Sequence, residues 1–207
     1  MAQAKKLRIG VLVSGRGTNL QAIIDAIERG ELEAEITLVV SNHPGVLALE
    51  RCQRHGVPHL VIEREGFKSR REHQMAMAQQ LKQRGVALVV LAGFDRIIHL
   101  DFIQAFPMRI MNIHPSLLPA FGGGLHAQAD ALEYGVKISG CTVHFVTPEV
   151  DAGPIVLQAA VPVLEDDTSD TLAARILEQE HQILPRAIQL FAQGRLGVEG
   201  RRVFIRN

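Results

Sequence analysis

The stretch that decides the fold is LRIGVLVSGRGTNLQAII, residues 7–24. Its first part, Leu7–Val13, is a largely apolar run of strand length, and its second half has the apolar spacing of an amphipathic helix. Gly15 and Gly17 lie between the two halves, so the chain passes from a strand through a tight turn into a helix. This order is the opening unit of a sheet that alternates with helices.

The same alternation continues along the chain. Further strand-length runs lie at residues 36–40, 57–62, 86–91 and 110–113, and helical patterns lie at 20–27 and 67–81. Extended patterns follow at 137–146 and 155–163, then a helix at about 169–193 and a short tail. We therefore predict an α/β fold, a doubly wound, mostly parallel sheet with an antiparallel extension in the C-terminal half. Ligands of such sheets bind outside the carboxyl ends of the strands.

Composition narrows the class of protein. The 207 residues are 47% hydrophobic, with 22 basic and 22 acidic side chains, so we expect a folded core and no global attraction to nucleic acid or membrane. Cys52 and Cys141 are far apart and fit neither a disulfide framework nor a zinc pattern. Residues 1–6 lack the apolar region of a signal peptide. These features predict a cytoplasmic protein.

The first chemical signal is the glycine loop, Ser14-Gly15-Arg16-Gly17-Thr18-Asn19. Its backbone N–H groups and the start of the next helix predict a site for a single phosphate. No Gly-Lys-Ser/Thr follows, and Leu20 stands where a dinucleotide motif has its third glycine. The alternative is an ordinary tight turn in which Thr18 or Asn19 caps the helix.

The second signal is Asn112 and His114, which lie at the end of a predicted strand and point to the same face. An amide and a charged imidazole are the donors that a developing oxyanion requires. Alternatively, both only satisfy backbone groups. In the loop 147–154, Asp151 would raise the pKa of His114 and orient its ring, or it is simply a turn residue.

Glu180 is unusual because it interrupts the apolar stripe of the last helix between Ile176 and Ile183. A carboxylate at such a position needs a function, unless Pro185 kinks the helix and turns Glu180 outward. The sequence leaves both interpretations open.

Taken together, the motifs resemble glycinamide ribonucleotide formyltransferases over nearly the whole chain. The segments that carry the resemblance are 14–19, 91–94 with 96–97, 112–119, 124–126, 141–146, 151–154 and 179–181. The resemblance implies transfer of a formyl group from 10-formyltetrahydrofolate to glycinamide ribonucleotide in de novo purine biosynthesis, with no metal, nucleic acid or membrane involved. It also implies a single domain over 1–207, with a phosphate-binding Rossmann-like half (1–110) and a catalytic and folate-binding half (111–207), as a monomer or homodimer.

The resemblance assigns roles residue by residue. Asn112, His114 and Asp151 would form the catalytic triad. The ribonucleotide would contact Gly15, Arg16, Gly17, Thr18, Asn19 and Glu180. Folate would contact Arg70, Phe94, Arg96, Ile97, Ile98, Val146 and Asp151. Other residues expected in the cleft are Ser116, Gly124, His126, Thr142 and His144.

Three departures from the family pattern stand out. Asp95 introduces a charge into the folate-side loop, Ala129-Asp130 replaces a frequent basic residue, and Gly122-Gly123-Gly124 is longer and looser than the family's Pro-Gly. Three consecutive glycines predict a mobile lid that orders over the ribonucleotide.

Two relatives and two unrelated functions are the alternatives. A formyltetrahydrofolate hydrolase would carry an N-terminal regulatory domain and would not need the glycine loop. Methionyl-tRNA formyltransferase would carry a nucleic-acid-binding domain, which the neutral charge does not favour. A metal site built from His114, His126, His144 and Asp151, or a binding module without catalysis, would leave Asn112 unexplained.

Overall fold

The computed structural model describes residues 6–207. The prediction that residues 1–6 contain no signal peptide falls mostly on residues 1–5, which lie outside the described range. The strands are β1 Leu7–Val13, β2 Ala34–Ser41, β3 His59–Val61, β4 Leu88–Leu91, β5 Ile110–His114, β6 Ile138–Phe145, β7 Ile155–Pro162, β8 Leu196–Glu199 and β9 Arg202–Ile205. The helices are α1 Thr18–Glu28, α2 Leu47–Arg54, α3 Arg70–Gln83, α4 Leu100–Ala105, α5 Ala127–Tyr134 and α6 Ser169–Ala192.

Seven strands form one sheet in the order β3-β2-β1-β4-β5-β6-β7, and β8 and β9 form a separate two-stranded sheet. The pairs β1–β2, β1–β4 and β2–β3 are parallel. β1 lies between β2 and β4, and its consecutive residues Leu12 and Val13, which point to opposite faces, are both fully buried, as expected for a parallel strand covered on both faces. The predicted α/β class with a mostly parallel sheet is confirmed.

The antiparallel extension is also confirmed. β6 pairs antiparallel with β7, with Thr142 opposite Gln158. Gly140 has φ +159° and leaves no room for a Cβ beside the backbone of Ala159, so the two strands approach closely at this glycine. The strand direction therefore reverses between β6 and β7 in the second half of the chain.

Helix α6 begins at a capping box in which the Thr168 side chain accepts from the N–H of Thr171. Its buried face includes Leu172 and Ile176 and continues past Pro185, which lies inside the helix. The helix packs against β6 and β7. This long amphipathic helix covers the antiparallel part of the sheet.

Several elements differ from the predictions. The strand expected at 57–62 is only His59–Val61, and helices α2, α4 and α5 were not predicted. These helices have eight, six and eight residues, so each is little more than two turns at most and is too short for a clear periodicity. The predicted short tail contains the hairpin β8–β9, which turns at Gly200 with φ +59°.

The chain divides into two compact units, Met1–Met111, described from residue 6, and Asn112–Asn207. The single domain with halves at 1–110 and 111–207 stays a prediction. No helix within residues 6–207 combines the length and apolar composition needed to cross a membrane.

Candidate active site

Three predicted catalytic residues meet at the start of the second unit. Asn112 and His114 end strand β5, where alternation puts both on one face. His114 is 6% exposed, and its Nδ1 lies 3.4 Å from Asp151 Oδ2. A carboxylate at this distance orients the imidazole ring.

Asp151 reaches this position through a tight turn. The turn closes where the Phe145 N–H donates to the Pro154 carbonyl (2.9 Å), and Gly153 packs so closely on Phe145 that no Cβ would fit. Asp151 itself has φ +51°, a left-handed conformation that aspartate tolerates better than most residues. It is therefore a turn residue and a neighbour of His114 at once.

His144 joins this group more closely than the sequence indicated, where it was only one of several expected cleft residues. Its Nδ1–H donates to the Phe145 carbonyl (3.0 Å). Its Nε2 lies 3.2 Å from Asn112 Nδ2 and 3.6 Å from Asp151 Oδ1. When Nε2 is unprotonated it accepts from the Asn112 amide and leaves the second amide N–H available, and when Nε2 is protonated it donates to Asp151.

The electrostatics of Asp151 follow from these contacts. Burial raises its pKa, but hydrogen bonds from His144 and the Gly123 N–H, with the charges of His114 and His144, lower the pKa from 3.8 to about 2. The carboxylate is therefore ionised throughout the neutral range.

A short segment after β5 covers two of these groups. His114 Nε2–H donates to the Phe121 carbonyl (2.9 Å), and the Gly123 N–H donates to Asp151 Oδ2 (2.8 Å). We call residues 121–123 the latch. Since a carbonyl only accepts, His114 Nε2 carries a proton, and both ring nitrogens face protein groups in this conformation. The predicted lid function of the triple glycine stays a prediction.

Ser116 and Thr142 brace the turn that leads to the latch. Thr142 Oγ1 donates to the Ser116 carbonyl (2.7 Å) and accepts from the Leu118 N–H (3.1 Å), while Ser116 Oγ donates to the Ala120 carbonyl (2.6 Å). Both were predicted in the cleft, and the structure gives them a role in holding backbone.

Gly124 and His126 are exposed, and no hydrogen bond or ion pair joins them to Asn112, His114 or Asp151 within residues 6–207. In the same range, no group of three or more histidine, cysteine, aspartate or glutamate side chains is arranged to hold a metal ion.

Glu180 stays on the buried face of α6 and is only 7% exposed, although Pro185 follows within the same helix. The interpretation in which Pro185 turns Glu180 outward is therefore wrong. The helix continues because the neighbouring buried side chains of its stripe anchor it on both sides of the proline.

Burial of the Cys141 thiol and, to a smaller extent, the charge of Glu180 raise the pKa of Cys141 to about 12, so this thiol is not a nucleophile.

In the first unit, the glycine loop connects β1 to α1 as predicted. Helix α1 begins at Thr18, and its N-cap is Gly17, with φ +67° and no side-chain cap. The alternative in which Thr18 or Asn19 caps the helix is therefore wrong. Because Gly17 has no side chain, no N-cap side chain accepts a hydrogen bond from the first-turn N–H groups of α1.

Asp95 belongs to a cluster beside this loop rather than to the folate-side loop alone. Its Oδ1 accepts from Ser14 Oγ (3.0 Å) and Asn42 Nδ2 (2.8 Å), and its Oδ2 lies 3.0 Å from His43 Nε2. Burial raises the pKa of Asp95, but these hydrogen bonds and the Arg96 charge lower it overall. Asn42 and His43 were not predicted; the unexpected charge at Asp95 was the signal that a partner was needed.

The predicted folate-side residues of the first unit lie on two elements. Arg70 is the exposed first residue of α3. The segment 94–98 follows β4, with Ile97 55% exposed and Ile98 8% exposed. Gln74 of α3 donates to the Ile97 carbonyl (2.9 Å), which ties the segment to the helix. Phe94 and Val146 are half-buried and Arg96 is exposed, and Val146 follows β6 in the second unit.

Known proteins identify the class of this site. A family model described as formyl transferase matches residues 7–188. The phosphoribosylglycinamide formyltransferase of Haemophilus influenzae is 44% identical over 189 residues, covering 91% of this chain and 89% of the relative. A crystal structure of glycinamide ribonucleotide transformylase 1 from Symbiobacterium toebii matches with TM-score 0.97 and 54% identity, covering 99% of this chain and 96% of that one. The chain belongs to the formyl transferase family.

Other relatives are much longer. The trifunctional purine biosynthetic protein adenosine-3 of Drosophila melanogaster is 46% identical over 196 residues, which cover 94% of this chain but only 14% of the relative. The resemblance to glycinamide ribonucleotide formyltransferases is confirmed at the level of the family.

Proposed function

We propose that this chain transfers a formyl group from 10-formyltetrahydrofolate to the amine of glycinamide ribonucleotide, in the cytoplasm, as a step of de novo purine biosynthesis. The observation that supports this most strongly is the group formed by Asn112, His114, His144 and Asp151 in a chain of the formyl transferase family. The group combines neutral and charged N–H donors with one ionised carboxylate, which is the set that acyl transfer between two amines needs.

In the proposed reaction, the neutral substrate amine attacks the formyl carbon. The carbonyl oxygen becomes an oxyanion, which accepts hydrogen bonds from the second N–H of Asn112 and from His114. For His114 Nε2–H to serve, the oxyanion must replace the Phe121 carbonyl as its acceptor. Formyl transfer therefore requires the latch to release His114.

The proton balance assigns a role to Asp151. The attacking nitrogen loses one proton, and the departing folate nitrogen gains one, so the net reaction neither produces nor consumes a proton. A carboxylate with a pKa of about 2 is a weak base. Asp151 therefore acts chiefly by orienting the His114 ring and by holding a water that relays the proton.

We assign the phosphate of the ribonucleotide to Gly15, Arg16, Gly17, Thr18 and Asn19, and its glycinamide end to Glu180. The folate moiety is assigned to Arg70, Phe94, Arg96, Ile97, Ile98, Val146 and Asp151. The reaction uses no metal. Two buried, free cysteines, Cys52 and Cys141, accord with a reducing cytoplasm.

The test is deformylation of 10-formyltetrahydrofolate with and without glycinamide ribonucleotide. The proposal requires turnover to depend strongly on the acceptor, and equal turnover without acceptor would establish a hydrolase instead. Asn112→Ala should lower turnover by roughly a hundred- to a thousand-fold with unfolding temperature unchanged. His59→Ala, on β3, is the control and should keep parent turnover. Parent-like turnover in Asn112→Ala, or an equal loss in both variants, would contradict the assignment.

A further inference from the structure

The carbonyl groups of the glycine loop are turned toward helix α2. The Gly15 carbonyl accepts from the Ala48 N–H (3.1 Å), and the Arg16 carbonyl accepts from Arg51 Nε (2.9 Å). Ala48 and Arg51 lie one turn apart on α2, so one helix face holds two consecutive peptide groups of the loop.

This arrangement fixes where the loop N–H groups point. In a planar trans peptide the C=O and the following N–H point in opposite directions. With the Gly15 and Arg16 carbonyls facing α2, the N–H groups of Arg16 and Gly17 must face away from it. The peptide groups that follow Gly15 and Arg16 therefore present N–H donors on the side away from α2.

Packing leaves the loop little freedom to depart from this path. A Cβ on Gly17 would lie 2.7 Å from Ala48 Cβ and 2.8 Å from Ala48 Cα. Gly17 thus packs directly on α2, and Arg51 supplies the side-chain bond that fixes the peptide before it.

Arg51 is itself held in place by α1. Its Nη1 donates to Gln21 Oε1 (3.0 Å), so a single planar guanidinium bonds the loop through Nε and helix α1 through Nη1. Because arginine only donates, the Gln21 oxygen must face Arg51, and the Gln21 NH2 faces Asp25 Oδ1 (2.7 Å) and His55 Nε2 (3.1 Å).

The same logic fixes the end of the chain of contacts. His55 Nε2 accepts from Gln21, so the ring proton is on Nδ1, which donates to Glu28 Oε1 (2.7 Å). The hydrogen bonds therefore run in one direction: Arg51 donates to Gln21, Gln21 donates to His55, and His55 donates to Glu28.

We infer that Arg51 is a positioning residue for phosphate binding: it holds the Arg16 carbonyl against α2 so that the loop N–H groups face the phosphate. This rests on the proposed function and extends it to a residue that does not contact the substrate. Arg51 acts through the geometry of the loop and not through its charge.

The experiment compares three variants in steady-state kinetics with both substrates. Arg51→Met should raise KM for glycinamide ribonucleotide by roughly 10- to 100-fold, the effect of losing a hydrogen bond from a charged donor. KM for the formyl donor and kcat at saturating ribonucleotide should change less than about threefold. Arg54→Met, an exposed arginine on the same helix, is the control and should match the parent.

Arg51→Lys separates geometry from charge. Lysine keeps the charge but has one point-like donor group and cannot reproduce the planar pair of bonds. Its KM for ribonucleotide should stay at least about tenfold raised, and the increase should persist at high salt. Parent-like KM in Arg51→Lys, or a penalty that disappears with salt, would overturn the inference in favour of a charge effect.

The parent enzyme distinguishes failure of this inference from failure of the proposed function. If the parent shows no acceptor-dependent turnover, the proposed function is wrong. If the parent turns over normally and Arg51→Met keeps its KM for ribonucleotide, only the role of Arg51 is wrong.

Discussion

The latch offers the sharpest single perturbation, Gly123→Ala. Gly123 has φ +79°, which an L-residue with a side chain rarely adopts, and a Cβ at this position meets no atom within 4 Å. The substitution therefore adds backbone strain to the latched conformation without adding a steric clash. The strain opposes the hydrogen bond from the Gly123 N–H to Asp151.

The expected magnitude follows from the cost of a left-handed conformation, about 1–2 kcal/mol for a residue with a Cβ. If the latch competes with substrate for His114 and Asp151, that strain weakens the competitor. Apparent affinity for the ribonucleotide should then rise by up to roughly 5- to 30-fold. Turnover should change little, unless closure of this segment or product release limits it.

Gly124→Ala is the matched control. It makes the same chemical change one residue later, where φ is not in the left-handed region and a Cβ would lie 3.7 Å from Asp130 Oδ2. Ribonucleotide affinity by calorimetry, turnover, and hydrogen exchange of segment 121–123 should be measured for the parent and both variants. Exchange should accelerate in Gly123→Ala only.

Two results would refute this reasoning. Equal affinity in the two variants would mean that the latch does not compete with substrate. Weaker binding in Gly123→Ala, with exchange accelerated, would mean that the latched path is the one that the substrate needs.

Three further predictions concern the catalytic group and the glycine loop. His114→Ala and Asp151→Asn should each lower turnover by roughly a hundred-fold or more. Because Asp151 acts through His114, turnover of the double variant should fall by much less than the product of the two single losses. Steady-state kinetics checks this, and multiplicative losses would contradict the coupling. Gly17→Ala should raise KM for the ribonucleotide and lower stability, because a Cβ at residue 17 would clash with α2. Gly15→Ala should fold normally, because a Cβ at residue 15 has no atom within 4 Å. Thermal unfolding and steady-state kinetics compare the two variants. Because the pKa of Asp151 is lowered from 3.8 to about 2, its carboxylate contributes about 2 kcal/mol of stability that is complete well above pH 4 and lost as the pH falls through about 2. Urea unfolding of parent and Asp151→Asn should converge in acid, and a constant difference down to the lowest pH would contradict this assignment.

The sheet was predictable where strands are buried on both faces. β1 has the predicted limits, Leu7–Val13, because a central parallel strand reads as a nearly continuous apolar run. The hairpin β8–β9 was missed because its strands have four residues each and expose most of their side chains. Gly200 between two alternating segments was the signal that could have indicated it.

The sequence predicted which residue types the catalytic group needs, and part of its geometry. Asn112 and His114 lie two residues apart on one strand, so their shared face follows from local structure alone. The role of His144 in orienting Asn112 depends on contacts across the fold, as does the contact from Arg51 to the loop carbonyl. No local pattern encodes such contacts. The sequence predicted the latch only as a flexible run of glycines. Its contact with Asp151 joins residues far apart in the chain, so the local sequence does not encode it.

The most direct test of the central claim follows the formyl carbon itself. The parent enzyme should be incubated with isotope-labelled 10-formyltetrahydrofolate and glycinamide ribonucleotide, and the products separated and identified by mass spectrometry. The account predicts that the label appears on the amine of the ribonucleotide in a one-to-one ratio with deformylated folate, and that His114→Ala slows both together. Label recovered as free formate, at the same rate with or without ribonucleotide, would contradict it.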